Sequence, residues 1–307
     1  AGTLATDGEM LTNQLNYTAL TPSGLPAKEK IVSEIRQMAD LLVQMRNAPV
    51  MKKSYAGPII FEGEAAAQMA SQVLFNTNGL SLISTREQLY ASDRRSYDPG
   101  NLFDDRVGQR ICSNSLTIKA VSKLKSYAGV PLVGSFDVDA EGVVPPDELV
   151  LVEKGILRTL LNDRVPTVAA SQSNGHRRVV VGGTGNRKGP GVVKIDYDKG
   201  VSLKQLYKNA AKEAVRSGFE YFYVVRKIAL LNIGLTRNKY LSSTIDMALP
   251  LSKPIAIYRV SVKTGKEELV RSAIVGDFTF NNLKYLNGAT NEMQVFNNID
   301  VQTGLPY

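Results

Sequence analysis

Reactive side chains are scarce in this chain. Its 307 residues include one histidine, His176, and one cysteine, Cys112. Nucleophilic catalysis by Ser or Cys needs a positioned base, usually His. His176 sits in Ser173-Asn174-Gly175-His176-Arg177-Arg178. Two neighbouring guanidiniums lower an imidazole's proton affinity without orienting it, so His176 reads as a loop residue. Cys112 lies between Ile111 and Ser113 with no His nearby in sequence to lower its pKa, and it reads as structural. One His and one Cys, far apart, cannot furnish the usual zinc ligand set, so no metal is expected in this chain on that basis. Carboxylates offer another route. Asp137, Asp139 and Glu141 alternate, and on a strand alternation places all three on one face. There they could take a hard cation such as calcium or magnesium. Their spacing matches no known cation loop, which favours carboxylates capping turns. The run from Gly182 to Gly191 (GGTGNRKGPG) invites a phosphate-loop reading. A phosphate loop passes from strand into helix, whereas Val192-Val193-Lys194-Ile195 is another strand, and the Gly-Lys-Ser/Thr order is missing. A basic, glycine-rich loop is expected instead.

The elements that must position these residues are legible in the hydrophobic pattern. Ile31, Ile35, Met38, Leu42 and Met45 recur at steps of four and three, which predicts a helix over Pro26–Arg46. Gly57 to Glu62 reads as a short buried strand. A second helix follows from Glu64 to about Asn76, with Ala65, Met69 and Val73 inward and Asn78-Gly79 as its cap. Ser96 to Asn101 is a turn cluster in an irregular stretch. From Ser115 onward strands dominate, including Leu116–Ala120, Ser135–Asp139 and Glu148–Val152, the last turning through Glu153-Lys154-Gly155 into Ile156-Leu157. Ser202 caps a third helix, Leu203 to Ser217, ended by Gly218. Its Lys204, Lys208, Lys212 and Arg216 form a basic stripe opposite Leu206, Ala210 and Ala214. Later strands are expected over Phe219–Leu235, Ser242–Ala248, Ile255–Val262 and Glu268–Val275. Asp7-Gly8 between alternating segments predicts an opening hairpin. The fold class is therefore α+β: sheet-rich, mostly antiparallel, barrel-like or a sandwich, with about three helices.

Composition narrows the class further. Hydrophobic residues make up 43% and charged residues 21%, a globular balance and not a disordered one. No apolar run approaches the ~20 residues that a membrane helix needs. The net charge of +8 comes without Trp and without a run of five like charges. It reads as a solvated basic face rather than a nucleic-acid site. With a single Cys no internal disulfide can form, which fits a reducing compartment and favours the cytoplasm.

Three stretches together resemble the carboxy-terminal domain of the TldD/PmbA family, the metalloprotease-related "modulator of DNA gyrase" proteins. They are Gly57 to Ala67 (GPIIFEGEAAA), Gly134 to Val143 (GSFDVDAEGV) followed by Leu151 to Leu157 (LVEKGIL), and Ser173 to Arg178 (SNGHRR). The last is similar to the family's Gly-Asn-(Gly/Ala)-Arg-Arg. The resemblance covers residues 21–307, with final strands expected past Tyr307. Residues 1–20 are then expected to be the remnant of a preceding amino-terminal domain. In metal-bearing members the helix after the Gly-Pro strand carries His-Glu-x-x-x-His, and a later Cys completes the zinc site. Laid onto this sequence, that motif falls on Ser71, Gln72 and Asn76. Hydroxyl and amide groups are poor zinc ligands, and Gln cannot take a proton from water.

The resemblance therefore implies the metal-free, PmbA-like type, a homodimer or a heterodimer with a metal-bearing TldD-like subunit. It would act on unstructured peptides, with zinc expected only in the partner. Asp137, Asp139, Glu141, His176 and Arg177 are the candidate peptide or cation contacts. Two alternatives stand beside this: a hydrolase that uses the carboxylates with a cation, and a modulator that binds nucleic acid or a topoisomerase.

Overall fold

The computed structural model describes residues 1–75, 81–84, 103–167, 169–182, 185–229, 251, 253–276, 280–299 and 305–306. In chain order the strands are β1 (Gly2–Leu4), β2 (Met10–Thr12), β3 (Ile59–Phe61), β4 (Leu116–Ala120), β5 (Ser126–Tyr127), β6 (Val130–Pro131) and β7 (Leu149–Glu153). They continue with β8 (Ile156–Leu157), β9 (Arg177–Val179), β10 (Asn186–Lys188), β11 (Val193–Tyr197), β12 (Tyr221–Ile228), β13 (Pro254–Ser261) and β14 (Glu267–Val270). The helices are α1 (Lys28–Asn47), α2 (Glu64–Leu74), α3 (Leu203–Arg216) and α4 (Phe280–Lys284). The architecture is α+β with mostly antiparallel pairing. The described strands form open sheets, none closed into a barrel. Among the described residues no helix is long and apolar enough to cross a membrane. Contacts divide the chain into two compact units: Ala1–Met69, Val201–Ile233 and Leu251–Gly276 in the first; Ala70–Gly200, Gly234–Pro250 and Asp277–Tyr307 in the second.

The first unit is built on a four-stranded sheet in the order β14-β13-β12-β3. Pairing is antiparallel except for β3, which runs parallel to β12. Residues 222–225 of β12 are all buried because both faces of the sheet are covered. Alternation sends Phe222 and Val224 into a core with Ala210 and Ala214 of α3, and Tyr223 and Val225 into another with Ala65, Ile257 and Val270. The α3 cap forms as the sequence predicts: Ser202 Oγ accepts from Gln205 N at 3.3 Å, and Gly218 takes φ +79°. The α1 stripe is buried only at its carboxy-terminal end. Leu42 and Met45 pack with Ala5, Leu11 and Ile255, while Ile31 and Met38 are half-buried and Ile35 is exposed. The β1–β2 hairpin turns at Asp7-Gly8 and contributes Ala5 and Leu11 to that core.

The second unit contains the sheet β11-β4-β7-β8, antiparallel throughout. Leu116, Ile118 and Ala120 on β4 are buried and alternate with half-buried Thr117 and Lys119. The β7–β8 turn uses Lys154 and Gly155 at φ +46° and +79°. A Cβ on Gly155 would lie 2.6 Å from the carbonyl oxygens of Cys112 and Ser113, so the close approach requires glycine. β10 lies inside the glycine-rich run and pairs with β9, and the strand β11 follows it, so the run does not lead into a helix. Ser135–Asp139 is not a strand, because its chain turns through residues 137–142 to close a loop on β9. The predicted cap at Asn78-Gly79, the turn cluster at Ser96–Asn101 and the strand at Ser242–Ala248 lie outside the described residues.

Candidate functional site

Helix α2 follows β3 directly, as the Gly-Pro strand and alanine-rich run predict. It places Ser71 in a buried position and Gln72 in a half-buried one. Asn76 lies outside the described residues. The two placed side chains are a hydroxyl and a carboxamide, a donor set that does not fit zinc. No step through a metal follows from these residues.

In the second unit, Ser173 to Arg178 forms the centre of a buried polar network. Gly175, at φ +74°, bends the chain so that His176 turns inward. The His176 ring is 1% exposed. Its Nδ1 lies 2.8 Å from Asn174 O and 3.0 Å from Asn174 Oδ1, and its Nε2 lies 3.1 Å from Ser122 Oγ. A proton on Nδ1 satisfies the Asn174 carbonyl and leaves Nε2 to accept from the Ser122 hydroxyl. His176 lies in a loop, as the sequence reading has it, but Asn174 and Ser122, and not the arginines, orient its ring. The order Ser122, His176, Asn174 is that of nucleophile, base and orienting group. Ser122 and His176 are each 1% exposed, however, and no substrate carbonyl reaches the hydroxyl. The arrangement is a structural clamp.

The three alternating carboxylates diverge, which corrects the shared-face expectation. Asp137 is exposed and pairs with Lys125 at 2.7 Å. Asp139 is buried: Oδ1 accepts from Glu141 N and Val143 N, both at 2.9 Å, and Oδ2 accepts from Arg177 N at 3.1 Å. Glu141 Oε2 accepts from Arg164 N at 2.9 Å. The turn that replaces the strand sends each carboxylate to a different task. Among the described residues no group of three His, Cys, Asp or Glu side chains converges as a cation site would require.

Around this centre, Arg177 bonds buried Asp163 at 2.7 Å, and Lys188 Nζ donates to Ser84 Oγ at 3.1 Å. Ser84 in turn donates to Asn162 Oδ1 at 2.7 Å. Asn162 ties the 170–174 loop through bonds to Ala170 O, Gln172 O and Asn174 Oδ1. Sequence reasoning missed Asn162, Asp163 and Ser122. The first two stand out as an adjacent polar pair after Leu160-Leu161, both leucines fully buried. Ser122 carries no signal in its local spacing.

Burial sets the titration behaviour here. It pushes His176 down to about 4, with nearby Arg178 acting the same way and the Asn174 carbonyl and Asp139 opposing. Burial also lowers Arg178 to about 10 and raises the Cys112 thiol to about 12, keeping that thiol protonated and inert at neutral pH. A measurable consequence follows from His176. Its folded-state pKa lies below the ordinary 6.5 of a histidine, so the unfolded chain binds the proton first as pH falls. Stability is fully present above pH 6.5 and is lost progressively toward pH 4. Urea unfolding is expected to show about 2 kcal/mol less stability at pH 5 than at pH 7.5. His176→Gln should flatten that dependence, because the chain has no other His. An unchanged slope in the variant would refute the assignment.

Comparison with known proteins gives this geometry a context. The family model described as "PmbA/TldA metallopeptidase C-terminal domain" matches residues 53–211, just over half of the chain. The chain belongs to the TldD/PmbA family. The match takes in β3, α2, the Asp139 loop and the Ser173–Arg178 centre. TldE from Thermococcus kodakarensis superposes with TM-score 0.56 at 15% identity, covering 87% of this chain and 51% of that one. A putative modulator of DNA gyrase from Thermotoga maritima gives TM-score 0.56 at 14% identity, covering 85% and 50%. Another from Bacteroides thetaiotaomicron gives 0.50 at 13% identity, covering 88% and 49%. The chain thus spans about half the length of these TldD/PmbA-like structures, and the likeness concerns the fold. No curated protein matches the sequence.

Proposed function

We propose that this chain is a non-catalytic member of a TldD/PmbA-type peptidase, holding extended peptide for a metal-bearing partner subunit. One observation carries the reading: α2 presents Ser71 and Gln72 where the family resemblance places a zinc-binding His and the Glu that activates water. Neither side chain can do that work. The peptide-holding part draws on the second unit's sheet. Among the described residues β11 has a strand neighbour on one side only, β4, and β8 at the opposite end is bonded to residues 108–109. An extended peptide can pair with such an edge through backbone hydrogen bonds with little sequence preference. In the first unit, Lys204, Lys208 and Lys212 lie exposed along α3 and would favour acidic segments.

The test is reconstitution. The purified chain alone should contain substoichiometric zinc and leave an unstructured peptide such as casein intact. Cleavage should appear when a metal-bearing family member is added, above the rate of that member alone. Stoichiometric zinc in the isolated chain, or cleavage by it, would overturn the assignment.

A further inference from the structure

The β9–β10 hairpin of the second unit carries basic side chains on both of its faces. Its register sets Arg177 opposite Lys188 and Arg178 opposite Arg187. Residues directly opposite each other in an antiparallel pair leave the same face, and successive residues leave opposite faces. On one face the charge is used: Arg177 bonds Asp163, and Lys188 donates to Ser84. On the other face Arg178 and Arg187 stand together, and like charges directly opposite repel. Among the described residues neither of these two makes an ion pair within 4.0 Å or a side-chain hydrogen bond.

Arg178 is 7% exposed, a depth at which a guanidinium is normally paired. Its Cζ lies 3.8 Å from the centroid of the Phe136 ring. That stack covers one face of the guanidinium but supplies no acceptor for its N–H groups. Nε is sealed off without a partner, while Nη1 and Nη2, which also lack one, keep contact with solvent. The open edge is therefore the end-on fork that grips a carboxylate through two parallel bonds. The buried carboxylates of this centre are engaged elsewhere, Asp139 by three backbone N–H groups and Asp163 by Arg177. Burial lowers the proton affinity of Arg178, and no carboxylate offsets it. Phe136 also packs against Gly191, where a Cβ would come within 2.6 Å of the ring. The same ring thus touches the guanidinium and the segment that leads into β11, the strand with a neighbour on one side only.

We propose that Arg178, stacked on Phe136 and assisted by Arg187, binds a carboxylate of the extended peptide. The inference rests on the peptide-holding reading and adds where an acidic group of that peptide is fixed. A chain terminus and an acidic side chain present the same group, and the two are told apart by experiment. A bound carboxylate pairs the buried guanidinium and relieves its repulsion with Arg187.

Equilibrium dialysis of the 307-residue chain against three radiolabelled peptides tests it: N-acetyl-trialanine with a free terminus, its terminal amide, and the same amide with aspartate as the central residue. The uncharged amide should bind at least tenfold more weakly than the better of the two carboxylate peptides, because a charge-assisted pair is lost. Preference for the free terminus assigns the site to peptide ends, and preference for the aspartyl peptide assigns it to acidic side chains. Arg178→Met should abolish the preference for carboxylate over amide. It removes a buried charge that has no counter-ion, so its melting temperature should stay close to that of the unsubstituted chain. Arg187 is exposed, so Arg187→Gln tests the site without disturbing packing, and it should reduce the same preference. No binding of any of the three peptides, equal binding of the uncharged amide, or an unchanged preference in both variants would overturn the site. Inorganic phosphate that competes as well as the peptide would overturn the carboxylate assignment. If the dialysis result is negative while casein is still cleaved on reconstitution, the site falls and the peptide-holding role stands. Carboxylate binding without cleavage on reconstitution has the reverse meaning.

Discussion

Asp139→Ala should destabilise the chain by about 4 kcal/mol in urea unfolding at neutral pH. The buried carboxylate satisfies three backbone N–H groups, those of Glu141, Val143 and Arg177. Bonds to a charged acceptor are worth about 1.5–3 kcal/mol each, and removing the acceptor leaves buried donors unmet. The sum is not additive, since Ala140 N also bonds Arg177 O at 2.7 Å and keeps part of the loop in place. Asp139→Asn should cost about 2 kcal/mol, because its carbonyl oxygen can serve only one side of the pair while its NH₂ faces a donor. Asp137→Ala should cost under about 0.5 kcal/mol, as its pair with Lys125 is a solvated surface contact. The contrast separates two readings of one motif. A cation site would make all three carboxylates matter alike, and calcium or magnesium would raise the melting temperature. A loop clamp makes Asp139 dominant and leaves the melting temperature indifferent to both ions.

The same motif shows what could be read before the structure. Patterns carried by local physics came through: the Ser202 cap, the Gly218 stop, the Lys154-Gly155 turn and the alternation on β4. Each depends on neighbours a few residues apart. Asp137, Asp139 and Glu141 have the same period as β4, yet they lie in a turn, because the backbone donors from 141 to 143 and at 177 compete for Asp139. Period two is also what a tight loop gives when one carboxylate folds back on its own chain. The His176 clamp was hidden for a different reason. Its partner Ser122 is 54 residues away, and long-range pairing leaves no trace in spacing. On α1 the periodic stripe was legible but its burial was not. Only the end near Leu42 and Met45 meets the hairpin and β13. The family resemblance located α2, but the chemistry of Ser71 and Gln72 came from reading side chains.

Arg271→Met is expected to cost about 3 kcal/mol and to loosen the β1–β2 hairpin. Arg271 is 6% exposed and reaches three acceptors: Asp7 Oδ2 at 2.6 Å, Glu9 Oε2 at 2.5 Å and Ala48 O at 3.0 Å. It therefore joins the hairpin to the end of α1 beside the apolar core that Ala5 and Leu11 share with Leu42 and Met45. Solvent screens the Asp7 contact, since that side chain is 49% exposed, so most of the cost falls on Glu9 and the Ala48 carbonyl. Met keeps the apolar stem volume and removes the fork of donors. Glu9 remains bonded to Lys253 and Ser272, which limits the loss. The pH dependence gives a second readout. Asp7 is held below its ordinary 3.8 chiefly by Arg271. Glu9 is held below 4.5 because the bonds from Ser272, Lys253 and Arg271 outweigh its burial. Carboxylates with lowered folded-state pKa stabilise above those values and lose that contribution as pH falls through them. The gap between the unsubstituted chain and Arg271→Met should therefore be full at pH 7 and shrink below about pH 4. Amide exchange of Leu11 and Asn13 should quicken in the variant by more than that of the core amide of Val224. Uniform acceleration across the sheet would mean that Arg271 supports the whole first unit instead of fastening the hairpin to it.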